Sequence, residues 1–349
     1  MRLERRAYVP FTLALAAPIG AIVVSLALAG LLIALAGAPV VEAYRRMLIG
    51  AFGSQLSITE TLTRATPLIL TGLAAAVAFR ARLWNIGAEG QFYMGALTAA
   101  FLGSKYGPQL PSAVLIPALM IAGAVAGAIL LLLPLALRLK FGVDEVVTTL
   151  LLNFVAVLFV SMMIEGALRD PLAFGWPQSA PIVDDAFLPK LVAHSRLHMG
   201  LVVAVGLAVV LWVVQTRTVF GLESRAAGLN PQAASFAGVS LGGVLVTIAC
   251  LSGGLAGLAG AIEVMGVKGY ATTDLSPGYG YSGIVVAMLA GLHPLGVVAA
   301  AVFVATMFVG ADGMSRALGV PSYIADVIVA LSLLTMLVAL LLANYRIRR

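Results

Sequence analysis

Apolar residues along this chain fall in long unbroken runs, with polar residues confined to short breaks between them. Ten runs can be read: roughly 11–36, 65–80, 91–104, 112–138, 144–165, 198–215, 241–263, 281–292, 294–311 and 321–343. A helix needs about 20 apolar residues to cross a hydrocarbon core of about 30 Å, and it satisfies its own backbone groups there. The pattern predicts an all-α, polytopic integral membrane protein with about ten transmembrane helices and both termini on one side. Glycine interrupts the pattern near 80–91 and 266–280, where broken or re-entrant segments are expected. Runs two to five and seven to ten enter from opposite sides, which suggests an inverted repeat of the kind transporters use.

Three connections are long: 37–64 and 166–197 on the outer side, and 216–240 on the inner. Pro171, Pro177, Pro181 and Pro189 with Asp170, Asp184 and Asp185 make 166–197 an ordered external loop with little regular structure. A solute-carrying partner could rest on it. No stretch is long enough for a separate soluble domain, so residues 1–349 read as a single transmembrane domain.

Composition agrees with the pattern: 61% of the 349 residues are hydrophobic and 10% charged, far from a soluble domain. The net charge of +6 does not point to nucleic acid, because the basic residues stand singly or in pairs at the ends of apolar runs. Of the 21 Lys and Arg, 12 fall on the inner side, against 5 of the 15 acids, which supports cytoplasmic termini. The first run follows Arg2, Arg5 and Arg6, exceeds the length of a signal-peptide core and is expected to be retained as a helix. The one cysteine, Cys250, lies in an apolar run and excludes an intrachain disulfide.

Within the first break, Trp84, Asn85, Glu89 and Gln91 stand among Gly87 and Gly90. Unwound backbone at membrane depth is tolerated only where it faces protein or a watery cavity, which is how transporters build solute and gating sites. A wet cytoplasmic turn fits the same residues equally well. Asp144 and Glu145 open the next long run at the favourable end of a helix dipole. Asn153, more than two turns further in, needs a hydrogen-bond partner. An interhelical bond with Thr148 or Thr149 as neighbours accounts for it more readily than a solute contact.

In the 216–240 connection, Asn230 before Pro231 reads as an N-cap with proline at the first helical position, and Gly238 can close the C-terminus. The product is a short alanine-rich helix, with Ala233 and Ala234, that presents Phe236 to a cleft on a soluble partner. A helix lying on the membrane is the alternative, but only one large apolar side chain lies in the capped stretch. In 266–280 and just beyond, Tyr270, Tyr279 and Tyr281 could stack on a flat base or sugar, although interfacial tyrosines are common for solvation alone.

Leu251–Gly254 matches the start of an ABC ATPase signature, yet it sits in an apolar run and no Walker A segment exists. Small-residue helix packing, continued by Gly257 and Gly260, explains it. His194, His198 and His293 form no metal motif, so no catalytic residue, metal or cofactor is expected on this chain.

The Asn85–Gln91 segment, the Asp144–Asn153 segment and the Gly221–Gly238 loop, in this order and spacing, resemble permease subunits of bacterial ABC importers in the simple-sugar, nucleoside and branched-chain amino acid branch. Ser282–Gly296 extends the likeness, which is nearest to the nucleoside permeases. The resemblance implies a multi-pass protein of the bacterial cytoplasmic membrane. Two such subunits, identical or paralogous, would enclose a path fed by an external solute-binding lipoprotein. Cytoplasmic ABC ATPase subunits would use ATP and drive the loop carrying Gly221, Arg225, Gly228, Asn230, Pro231, Ala233, Ala234, Phe236 and Gly238. Trp84, Asn85, Glu89, Gln91, Asn153, Tyr279 and Tyr281 are the expected path residues. The rival reading is a secondary transporter with Glu89 as a proton or sodium site.

Overall fold

The computed structural model describes residues 2–5, 11–35, 37–319 and 323–348. Thirteen helices are described: α1 (Phe11–Leu35), α2 (Val40–Phe52), α3 (Gln55–Arg80), α4 (Ala88–Lys105), α5 (Ser112–Phe141), α6 (Glu145–Glu165), α7 (Gly200–Arg217), α8 (Val219–Leu229), α9 (Pro231–Phe236), α10 (Leu241–Glu263), α11 (Tyr279–Leu289), α12 (Pro294–Leu318) and α13 (Ile324–Asn344). Strands β1 (Arg2–Arg5) and β2 (Tyr345–Arg348) pair antiparallel, which puts these two segments side by side.

All ten apolar runs coincide with helices. Among the described residues six helices are long and apolar enough to cross a membrane: α3, α5, α6, α7, α12, and α10 with its extension to Lys268. The pair Ile19–Leu35 and Val40–Phe52, bent by 116°, makes a seventh if counted as one span. Three of the expected ten, α4, α11 and α13, are not among these spans, so about ten is not reached, and two of them fall short for visible reasons. In α4, Glu89, Gln91 and Lys105 dilute 18 residues, and α11 is only 11 residues long.

The chain forms two compact units, residues 1–61 with 302–349, and residues 62–301. In the first, Thr335 donates a 3.0 Å hydrogen bond to Ala21 O, joining α13 to α1. The backbones of α2 and α12 meet at Gly50 and Gly313, where a Cβ on Gly50 would lie 3.1 Å from Gly313 Cα.

The second unit is built on α4, α5 and α10, whose facing residues are glycines. Gly95 and Gly123 both abut Gly257, and a Cβ on Gly253 would lie 2.5 Å from Gly127 O. Lipid offers no hydrophobic drive to pack helices, so close backbone approach and dispersion must supply the attraction. That is the role expected of Leu251–Gly254 and Gly257. On the outward faces of α5 and α6, Ile121, Ile129, Phe154 and Leu158 are exposed, as a lipid-covered surface requires.

Beyond Glu263, α10 widens into a π turn, Val264–Lys268, closed by Gly269 at φ 80°. Residues 166–197 lie along this turn, ordered but with little regular structure: Ile182 N donates to Gly269 O (2.8 Å) and Leu188 N to Met265 O (2.9 Å). His198, two residues ahead of α7, is buried, with Nδ1 accepting from Gly200 N (3.1 Å) and, among the described residues, no partner for Nε2. Burial pushes its pKa down to about 4.

Candidate functional site

The first break starts where α3 ends in a reversed turn: Leu83 N donates to Ala78 O (3.0 Å) and Arg82 takes φ 56°. Residues 83–86 are not helical and α4 begins at Ala88. Glu89 and Gln91 thus sit in the first turn of a helix rather than in a loop. Unwound backbone inside a membrane protein needs partners from its neighbours, and the break finds them on four helices. Asn85 and Gln91 exchange amide hydrogen bonds, both 2.9 Å. Asn85 Nδ2 also donates to Ser252 Oγ of α10 (2.9 Å), and that hydroxyl donates to Ala74 O of α3 (2.8 Å).

Asn153 of α6 completes the arrangement. Its Oδ1 accepts from Gly90 N (2.8 Å), while Nδ2 donates to Ile86 O (2.8 Å) and to the Tyr281 hydroxyl (3.2 Å). The expected interhelical bond is thus made, to partners other than Thr148 and Thr149. Those hydroxyls bond back to the Asp144 and Glu145 carbonyls one turn earlier, at 3.0 and 2.6 Å, which leaves Asn153 to partners across the helix interface.

Glu89 joins α4 to α11. Its Oε2 accepts from Gly280 N at 2.6 Å, and the two backbones touch, leaving no room for a Cβ at Gly280. Both residues stand in the first turn of their helices, so two positive dipole ends converge on one carboxylate. Tyr93, one turn along α4, donates to Thr273 O (2.6 Å) and accepts from Ser276 N (3.3 Å). Together they hold the 269–278 segment against α4.

Of the expected path residues, Asn85, Glu89, Gln91, Asn153 and Tyr279 are buried in this conformation. Tyr279 packs on Phe92, ring centroids 5.9 Å apart, and is not free to stack on a solute. Trp84 and Tyr281 remain 43% and 40% exposed. Sequence reasoning missed Ser252 and Tyr93, and named Thr149 only as a neighbour of Asn153, whereas it accepts from Ile86 N (3.3 Å). Tyr93 carried a signal, standing four residues after Glu89 on the same helical face. Ser252 carried none beyond a small-residue motif.

The 216–240 connection is two helices. Thr218 caps α8 by accepting from Gly221 N (3.2 Å), and Asn230 caps α9 by accepting from Ala233 N (3.1 Å). Pro231 lacks an N–H and forces Asn230 into extended backbone (φ −151°, ψ 96°), which splits one helix into two. Arg225, Asn230, Pro231, Ala233, Phe236 and Gly238 are exposed, and Gly221, Gly228 and Ala234 are buried. Phe236 is 96% exposed, and Val219, Leu222 and Leu229 of α8 are also exposed. At Gly228 the α8 backbone rests directly on Arg80 O and Ala81 Cα. Helix α8 thus touches the start of the break.

Residues 57–342 match the family described as branched-chain amino acid transport system, permease component. The chain belongs to that permease family. The permease is also 35% identical over 99% of its length to a glucose ABC transporter permease protein of Haloferax volcanii, covering 93% of that protein. It is 35% identical to a guanosine ABC transporter permease protein of Bacillus subtilis, over 91% of each chain. A nucleoside ABC transporter permease protein of Lactococcus lactis is 33% identical over 90% of the permease and 88% of its own length. No solved structure matches the permease. As a permease component with several apolar helices it is a multi-pass protein of the cell membrane, and a translocation subunit rather than an enzyme.

Proposed function

We infer that the permease forms half of the translocation path of an ATP-driven importer for a nucleoside-like or simple-sugar solute. One observation carries the reading. The capped α9 helix leaves Phe236 exposed, while α8 beside it rests through Gly228 on the backbone at Arg80–Ala81, where the interrupted segment begins. A push on α8–α9 reaches the Asn85–Gln91–Asn153 junction through packed backbone, without a flexible linker. The names of the relatives support ABC importers and supply the solute class.

In this reading a cytoplasmic ABC ATPase seats on α8–α9 and uses ATP there; no cofactor is held on this chain. A second permease subunit, identical or paralogous, closes the path, and an external lipoprotein delivers solute to the 166–197 loop. Both termini are cytoplasmic. Ten helices then cross or enter the membrane, α4 and α11 being the inner parts of two interrupted spans. Their head-to-head N-termini support an inverted repeat. The buried polar junction is the closed gate, and Trp84 and Tyr281 are its half-exposed rim. An ion-driven transporter would need an available carboxylate at Glu89, which the bond to Gly280 N opposes.

The test is co-purification of a tagged permease from its native membrane, with ATP hydrolysis assayed in the same preparation. Recovery of an ATPase chain that is lost when residues 230–238 are scrambled supports the reading. If no nucleotide-binding chain is recovered in several detergents while ion gradients drive uptake, the reading fails.

A further inference from the structure

A cavity of about 370 Å³ opens between α5, α10 and the α8–α9 pair, with Ala81 and Arg82 on one wall and Pro231 on another. Leu139, Leu241 and Leu245 give it an apolar lining, joined by two arginines, Arg82 and Arg138. Arg138 is ion-paired to Glu145 at 2.6 Å. Among the described residues no carboxylate pairs with Arg82, so the cavity retains uncompensated positive charge.

The location sets the chemistry. Helix α3 ends at Arg80, α5 ends at Phe141 and α10 begins at Leu241, and all three are membrane spans. The cavity therefore lies at the level of lipid headgroups, next to the lipid-facing side of α5. Arg82 adds a second, independent pointer. It occupies the left-handed position (φ 56°) that closes a helix, with Leu83 N donating to Ala78 O, a place glycine fills without strain. A strained backbone that carries a charged side chain into a cavity points to a use for that side chain.

We propose that this cavity binds the headgroup of an anionic phospholipid, with the phosphate on Arg82 and Arg138 and the first part of an acyl chain over Leu139 and Leu245. Basic pockets between membrane helices recognise such headgroups by charge, while the apolar lining selects a lipid over a free anion. The lipid would sit between the start of the break and Pro231, on the route from α8–α9 to the polar junction.

The full-length permease in detergent is titrated with phosphatidylglycerol, with phosphatidylcholine of the same acyl chains, and with inorganic phosphate, and adducts are read by native mass spectrometry. One phosphatidylglycerol should survive collision energies that strip phosphatidylcholine, with at least fivefold less retained by Arg82→Gln. Arg169→Gln serves as control: Arg169 lies beyond the other end of α6, a helix of 21 residues, about 30 Å away. It should leave retention unchanged. Equal retention of the two lipids, or equal loss in Arg82→Gln and Arg169→Gln, overturns the proposal. Displacement of phosphatidylglycerol by millimolar phosphate also overturns it, in favour of a free-anion site.

Discussion

Glu89 and Gly280, 191 positions apart in the sequence, meet with the Glu89 carboxylate 2.6 Å from the Gly280 N–H and their backbones in contact. One side chain thereby caps a helix in another part of the chain, and only glycine leaves room for it. A methyl group at 280 must push α4 and α11 apart. Gly280→Ala is expected to cost about 3 kcal/mol, the upper part of the overpacking range. The check is a lower thermal midpoint in detergent by fluorescence-detected size exclusion; a midpoint within 1 °C of wild type would mean the helices separate freely.

The carboxylate and the bare acceptor at 89 can be told apart. Glu89→Gln keeps an oxygen for Gly280 N and loses only the charge-assisted part of the bond, whereas Glu89→Ala leaves the N–H buried without a partner. Alanine is expected to lower stability by about 2 kcal/mol more than glutamine does. Equal loss in the two variants, measured by thermal unfolding of the purified chains, would point to the charge alone.

Asn153→Leu strands Gly90 N and Ile86 O together inside the protein. Each orphaned group costs about 1–3 kcal/mol, so the variant is expected to be among the least stable on α6. Thr148→Val, which removes only a bond to its own helix, should be near neutral. Expression and melting of the pair decide whether Asn153 holds the break in place.

Phe236 is exposed and packs on nothing in the chain's core, so Phe236→Ala should change folding stability by less than about 0.5 kcal/mol. As the apolar anchor of α9 it should weaken capture of the partner ATPase about thirtyfold, the scale of an interface hot spot. Asn230→Ala removes the cap of α9 and should cost about 1 kcal/mol locally, with a smaller loss of capture. Pull-down of the ATPase against permease concentration separates the two effects.

His198 makes stability depend on pH. Its folded pKa of about 4 lies below the ordinary value of about 6.5, so the unfolded chain takes up a proton first. Stability is full above about pH 6.5 and declines as pH falls toward 4, by at most about 3 kcal/mol. His198→Gln keeps an acceptor for Gly200 N and should flatten this decline between pH 7.5 and 5 in thermal melts. An unchanged slope would place the acid sensitivity on another group.

The residues announce the membrane, the helices and their local punctuation. Apolar runs can be read without knowing their neighbours because lipid makes each helix satisfy its own backbone. The Asn230–Pro231 cap and the interruption near Asn85–Gly90 are legible for the same reason, since both depend on residues close in sequence. The number of spans is less so, because α4 and α11 are shortened or polar where they meet. Which groups meet across the fold was decided only by tertiary structure. Helices apolar all round carry no stripe to say which side faces which neighbour, so nothing near Asn153 foretold Gly90 and Ile86 as its partners. Nothing near Glu89 foretold Gly280. Those pairs follow from the glycine-lined packing of α4, α5 and α10, which brings backbones close enough for buried polar groups to find one another.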